Sequence, residues 1–237
     1  MKQPDDLFNR LTAKIRRTYR ELGFKQGWRF LYSSRKTLKP STKIIFIGLN
    51  PGGGDFEEPR PSCENGNAYH FEEWPEGKPA GDSFLQKQVR LLYEGIAKAT
   101  RSKPAITLMD ESLAANFIPF RSKSKSKLES PEACMELSRE IWTSILEHVQ
   151  PKLVITMGRE VTHEIAALIG KDATMTAPIK GKTGWGKITY DLRWASRNGR
   201  RTLIVGLPHL SRFRIFERPA GEAPMQPMWD AIHESMR

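Results

Sequence analysis

The chain has 237 residues, of which 38 are Lys or Arg and 27 are Asp or Glu, giving a net charge of +11 and a pI near 9.7. That length suits one α/β domain with a sizeable core better than two small ones, and the charge makes a polyanion the default partner, with a membrane surface as the rival. No apolar run approaches the roughly 20 residues of a spanning helix, the start carries Asp5 and Asp6 in place of a signal segment, and Cys63 and Cys134 are too few for a disulfide framework or an iron–sulfur cluster. The expectation is a soluble, cytoplasmic monomer with reduced structural thiols.

Residues 5–22 place Leu7, Leu11, Ile15, Tyr19 and Leu22 at helical spacing, with Lys14, Arg16, Arg17 and Arg20 on the other face. This predicts an amphipathic helix with a solvated basic side, within an amino-terminal extension over 1–35. Ile44–Leu49 reads as a buried strand that runs into Asn50-Pro51-Gly52-Gly53-Gly54-Asp55, a glycine-rich turn. Residues 50–82 hold too many Gly, Pro and Asn for a regular element. Their aromatics Phe56, Tyr69, Phe71 and Trp74 point to an ordered, functional loop.

Helical period returns over 83–99, opened by Asp82 or Ser83 as the cap. Ser112–Phe117 is a short strand leading into Asn116-Phe117-Ile118-Pro119-Phe120, and Arg121, Lys123, Lys125 and Lys127 alternate with serines in a polar loop. Pro131 opens a helix over 131–149. Leu153–Met157 is a third strand, 159–169 a helix, 184–192 an extra strand, Thr202–Leu207 the last core strand and 227–236 a closing helix. Strands alternating with helices predict an α/β fold with a parallel sheet covered on both faces.

In such a sheet the carboxyl ends of the strands share one side, where open α/β folds bind ligands. Asn50 follows the first strand, Asn116 ends the second and His209 lies two residues beyond the last. Each alone has a plain reading: a turn, a buried amide satisfying backbone, a structural His. The combination is informative. An Asn carbonyl can orient a water, a second Asn offers a donor and an acceptor in one side chain, and a His can donate to an oxygen on which negative charge develops. Asp55 next to the first motif is a weak base or, better, a turn-forming side chain.

Gly48-Leu49-Asn50-Pro51-Gly52, Asn116 and His209-Leu210-Ser211-Arg212-Phe213 together resemble the motifs of the uracil-DNA glycosylase superfamily, nearest its mismatch-specific and single-strand-selective branches. The resemblance covers about residues 43–215. The last motif keeps His and Ser but neither proline of the family's His-Pro-Ser-Pro, and the segment between Gly54 and Ser83 is longer than in the mismatch-specific branch. The resemblance implies a three-layer α/β/α sandwich around a central four-stranded parallel sheet, and a monofunctional DNA glycosylase needing no metal or cofactor. It implies that Asn50 positions the attacking water and that His209 contacts the base carbonyl. Gly48, Leu49 and Asn116 would bind the base, with Tyr69 or Phe71 stacking on it. Ser211, Arg212, Arg121, Lys123 and Lys125 would contact DNA, with Arg214, Arg218 and Lys127 adding charge. Two rivals are a fold of this kind that binds DNA or a modified base with little or no cleavage, and a nucleotide-binding enzyme using Gly52–Gly54. The second lacks the Gly-Lys-Ser/Thr ending of a P-loop and the Gly-x-Gly-x-x-Gly spacing of a dinucleotide site.

Overall fold

A computed structural model describes residues 4–53, 55–74 and 78–237, and the side chains of Pro4, Asp5 and Lys125 also lie outside the described set. Gly54 of the glycine-rich turn is therefore outside it, as is the side chain of Lys125 in the basic loop. Strand β1 (Ile44–Gly48) is entirely buried, and its neighbours on either side are β2 (Leu113–Asn116) and β3 (Leu153–Met157), equally buried. Continuous apolar runs of this kind fit strands covered on both faces. The fourth parallel strand, β7 (Arg200–Leu207), pairs with β3.

The sheet is nevertheless mixed and seven-stranded, in the order β2-β1-β3-β7-β6-β4, with β5 also on β6. This corrects the expectation of a four-stranded parallel sheet. The extra strands β4 (Thr174–Met175), β5 (Ile179–Lys182) and β6 (Thr189–Arg197) are antiparallel, and β6 joins β7 through Asn198-Gly199, both at positive φ. Asn-Gly with two positive φ values is the hairpin turn whose twist matches its strands. The strand expected at 184–192 thus begins five residues later, after a turn.

Helices cover both faces. Ile45 and Ile47 of β1 pack with Leu11 and Ile15 of α1 (Pro4–Glu21), Ile141 and Ile145 of α5 (Pro131–Val149) and Ile165 of α6 (Arg159–Gly170). The alternate residues Ile44 and Phe46 face Val89 and Leu92 of α3 (Phe84–Thr100), Met109 of α4 (Ala105–Glu111) and Met228 and Ile232 of α7 (Glu222–Met236). Side-chain alternation along one strand therefore serves two cores. Of the two residues expected as the cap of α3, it is Ser83: its Oγ accepts from the Gln86 N–H while Oε1 of Gln86 accepts from the Ser83 N–H, a capping box.

The amino-terminal residues are part of this packing. Leu7, Phe8, Leu11 and Ile15 of α1 are buried in the first core, and residues 28–32 run antiparallel beside β2 and its continuation, with Trp28 bridged to Phe120 and Leu31 to Ala115. No helix among the described residues is long and apolar enough to cross a membrane.

Candidate functional site

The chain crosses from β1 outward to β2 on one side and to β3 on the other, so the carboxyl ends of β1 and β3 flank the point where the strand order reverses. Register lines those ends up: Gly48 is opposite Asn116, Ile47 opposite Thr156, and Met157 opposite Leu207. Three strand spacings of about 4.8 Å put the ends of β2 and β7 roughly 14 Å apart. Asn50, Asn116 and His209 start from this row.

The ladder between β1 and β2 continues past both strands, since Phe117 N–H donates to Gly48 O and Ile118 N–H to Leu49 O, each at 2.8 Å. Leu49, half-buried, packs against the first core. The continuation brings Asn50 beside Ser122, a residue that no sequence motif singles out. Asn50 Nδ2 donates to Ser122 Oγ at 3.1 Å and to Ser122 O at 3.3 Å, while Ser122 N–H donates to Pro51 O at 3.1 Å. A further bond from Nδ2 to Pro51 O is 3.0 Å. With the amide nitrogen engaged, Oδ1 is the Asn50 atom that takes no hydrogen bond among the described residues. It can accept from a water.

Arg121 is used internally. It donates to Gly52 O and pairs with Glu57, bracing the glycine turn where Gly53 has φ +99° and where a Cβ would meet the guanidinium. Its placement fits a structural brace better than the phosphate contact expected of it.

Asn116 is 7% exposed. Its side chain lies across Gly48, where any Cβ would collide with Oδ1. On the same face, Tyr32 N–H donates to Ala114 O at 2.7 Å, placing Tyr32 diagonally across from Asn116. Burial raises the Tyr32 pKa above its usual value, opposed by Arg29, Arg121 and the Asn116 amide.

Arg29 sits 4.0 Å over the Tyr32 ring and donates from Nη1 and Nη2 to the two oxygens of Glu72, both at 2.7 Å. Burial alone would raise the Glu72 carboxyl; the hydrogen bonds and charge of Arg29 overcome it and hold the pKa below the ordinary value. Nearby, burial and Glu72 push the Cys63 thiol up to about 11, which keeps it protonated and unreactive. None of Arg29, Tyr32 and Glu72 was expected at the site. The signal was present in Trp28-Arg29-Phe30-Leu31-Tyr32, a strand-like aromatic run between Gly27 and two serines.

His209 lies in a tight turn whose carbonyl accepts from Arg212 N–H at 2.8 Å and Phe213 N–H at 3.2 Å. Ser211 Oγ is hydrogen-bonded to His209 Nδ1 at 2.7 Å, which fixes the ring and leaves Nε2 to meet a ligand. Burial, and then the charge of Arg212, lower the His209 pKa, so the imidazole is neutral near neutral pH.

The two stacking candidates separate. Tyr69, at the second position of the one-turn helix α2 (Ala68–Phe71) within the loop expected to be irregular, is 2% exposed. Its ring is packed by Tyr32, Phe46 and Trp74 at centroid distances of 5.5, 5.3 and 5.2 Å. This is core packing. Phe71, 48% exposed, has its ring edge-on to His70.

Lys123, Lys127, Ser211 and Arg212 are exposed. Arg214 and Arg218, also exposed, rest on aromatic faces, at 4.8 Å from the Phe84 ring and 4.4 Å from the Trp185 ring. A guanidinium held by its face keeps its N–H edge for a phosphate. Cavities of about 450 and 400 Å³ lie elsewhere, beside Ile44 at the start of β1 and beside Arg200 at the start of β7, the opposite end of the sheet. Among the described residues no group of three or more His, Cys, Asp or Glu side chains is placed to hold a metal ion.

No protein-family model matches the chain, and no curated protein matches it either.

Proposed function

We propose that the protein is a monofunctional DNA glycosylase of the uracil-DNA glycosylase type, hydrolysing the bond between deoxyribose and uracil or a related modified base. The four parallel strands β2-β1-β3-β7 with helices on both faces are then the central sheet and outer layers of the three-layer sandwich expected for that type, with β6, β5 and β4 added at one edge. The observation that carries the reading is the placement of Asn50, Asn116 and His209 at or just beyond the carboxyl ends of β1, β2 and β7, on one side of the sheet, with the Asn50 amide bonded to Ser122.

In this mechanism the base leaves with its bonding electrons, and His209 Nε2 donates to the base oxygen on which the charge gathers. Asn50 Oδ1 accepts from a water held for the oxocarbenium-like sugar carbon. An amide is no useful base, so bond breaking leads and water adds late. Asn116 pairs with the base edge. A stacked base is out of reach of these groups, so the nucleotide enters flipped or already unpaired, with its phosphates held by exposed cations such as Lys123, Arg214 and Arg218. The chemistry runs on hydrogen bonds, and base release is expected to persist in EDTA.

The burial of the Tyr69 ring favours a second reading, in which the same fold binds DNA or a modified base with little cleavage. Base release from a panel of modified-base oligonucleotides, measured beside binding of the same strands, separates the two.

A further inference from the structure

We propose that the tip of the β5–β6 hairpin is a nucleic-acid subsite, in which Trp185 stacks on an unpaired base of the strand that runs past the candidate site. The subsite deepens the reading of the protein as one that acts on DNA and rests on it. Asp191 of β6 is opposite Gly206 of β7, and Lys182 of β5 is opposite Thr189 of β6. Residues 183–188 therefore lie beyond the carboxyl end of β7, the end from which His209 follows. Strands β5 and β6 belong to the part of the sheet added beside the four parallel strands. Their tip is joined to the His209 turn: His209 O accepts from Phe213 N–H at 3.2 Å, and the Phe213 ring meets the Trp185 ring at 6.2 Å and 77°.

The backbone around Trp185 is fixed. Thr183, fully buried, donates from Oγ1 to Ile188 O at 2.9 Å and accepts there from Trp185 N–H at 3.3 Å, while Ile188 N–H donates to Trp185 O at 2.9 Å. Gly184, at φ +74°, lies so close to Ala220 O that a Cβ would collide with it, which seats the tip against residues 219–221. Trp185 itself stays half-buried. Lys182, Lys187, Arg212, Arg214 and Arg218 are exposed in the same two segments, and none is in an ion pair among the described residues. Glu217 is the one carboxylate within residues 182–188 and 209–218. Arg218 lies 4.4 Å over the Trp185 ring, which leaves its N–H edge for a phosphate. Positive charge alone would serve any polyanion or an anionic membrane. An aromatic ring set among cations suits a single strand, whose base faces and phosphates are both open to contact, whereas a duplex hides its base faces.

The test titrates oligothymidylate, and its duplex with oligoadenylate, into the parent, Trp185→Ala and Trp185→Phe at one salt concentration, reading binding alone and so apart from base release. Trp185→Ala is expected to weaken single-strand binding by about tenfold, the worth of one stacked base, and duplex binding by under about twofold. Trp185→Phe keeps a ring beside Phe213 and so preserves the fold of the tip. It should retain most of the single-strand affinity and lose most of the quenching of tryptophan emission that the strand produces in the parent. Parental single-strand affinity in Trp185→Ala, equal losses on strand and duplex, or quenching unchanged in Trp185→Phe would overturn the proposal. So would a parent that binds vesicles containing phosphatidylserine and not the strand. The glycosylase reading fails on a different result: a parent that binds the strand through Trp185 but releases no base from any oligonucleotide loses that reading and keeps the subsite.

Discussion

Asn116 lies across Gly48 because residue 48 has no side chain: Oδ1 occupies the space a Cβ would fill. Gly48 and Asn116 are paired residues of adjacent parallel strands, so neither can move without breaking the ladder. Gly48→Ala should therefore displace the Asn116 side chain and not the backbone. The expected outcome is at least a tenfold loss of base release, with a stability loss of about 1–3 kcal/mol from overpacking. Urea denaturation beside the rate measures both, and a variant with parental rate would show that the position of Asn116 is immaterial.

Ser122→Ala removes the Oγ that receives the Asn50 amide at 3.1 Å but leaves the bond to its carbonyl. Asn50 should then sample other orientations. The rate of base release is expected to fall by about fivefold with DNA affinity unchanged, since the substitution deletes one net hydrogen bond and touches no phosphate. Equal losses in rate and affinity would place Ser122 in DNA binding instead.

The Arg29–Glu72 pair is buried on both sides, with side chains 7% and 16% exposed. Glu72→Gln leaves the guanidinium without its counter-charge. A loss of about 3–5 kcal/mol in unfolding free energy is expected. Because the Glu72 pKa is lowered on folding, the pair's contribution is present above the ordinary carboxylate value of 4.5 and fades as the pH falls through the lower folded value. The gap between parent and variant should narrow in that acidic range, and a gap constant with pH would contradict the assignment.

His209 runs in the same sense at a higher pH. Its pKa is lowered from 6.5 by burial and by Arg212, so the unfolded chain takes up the proton first as the pH drops. The contribution to stability is complete above pH 6.5 and is lost as the pH falls toward the folded value. Compared with His209→Gln, the parent should lose stability over that window, as read by urea midpoints. Parallel pH curves for the two would mean that the ring is not buried as described.

Lys123→Ser combined with Lys127→Ser should lower the slope of log affinity against log salt by roughly 2, about 0.9 for each phosphate of duplex DNA that a lysine no longer neutralises. Fluorescence titration of one strand at several salt concentrations reads it. An unchanged slope would leave these exposed lysines as solvated surface.

Much of the site's framework is legible in the sequence. The core strands announce themselves as unbroken apolar runs, and their ends place Asn50, Asn116 and His209 on one side by topology alone. What was not legible depended on pairings distant in sequence or on tolerated rule-breaking. Tyr32 comes beside the end of β2 only because residues 28–32 lie along that strand, more than 80 positions later, in isolated bridges with no extended ladder. The last helix begins at Glu222 despite Pro227 within it, where the missing N–H suggests a boundary. Strand β5 escaped notice because Ile179-Lys180-Gly181-Lys182 has one apolar side chain, and Gly181 is required there by the Tyr190 ring lying over it. Asn198-Gly199 is a hairpin signal that could have placed the β6–β7 turn from sequence.

The most direct test of the glycosylase reading is single-turnover base release by the parent, Asn50→Ala and His209→Ala across oligonucleotides carrying uracil and related modified bases, single- and double-stranded, with binding titrated alongside. The expected result is release of at least one base by the parent, a loss of about a hundredfold or more in His209→Ala, as for an oxyanion donor, and a lowered rate with near-parental DNA affinity in Asn50→Ala. Parental rates in both variants, or no base released by the parent from any strand, would contradict it.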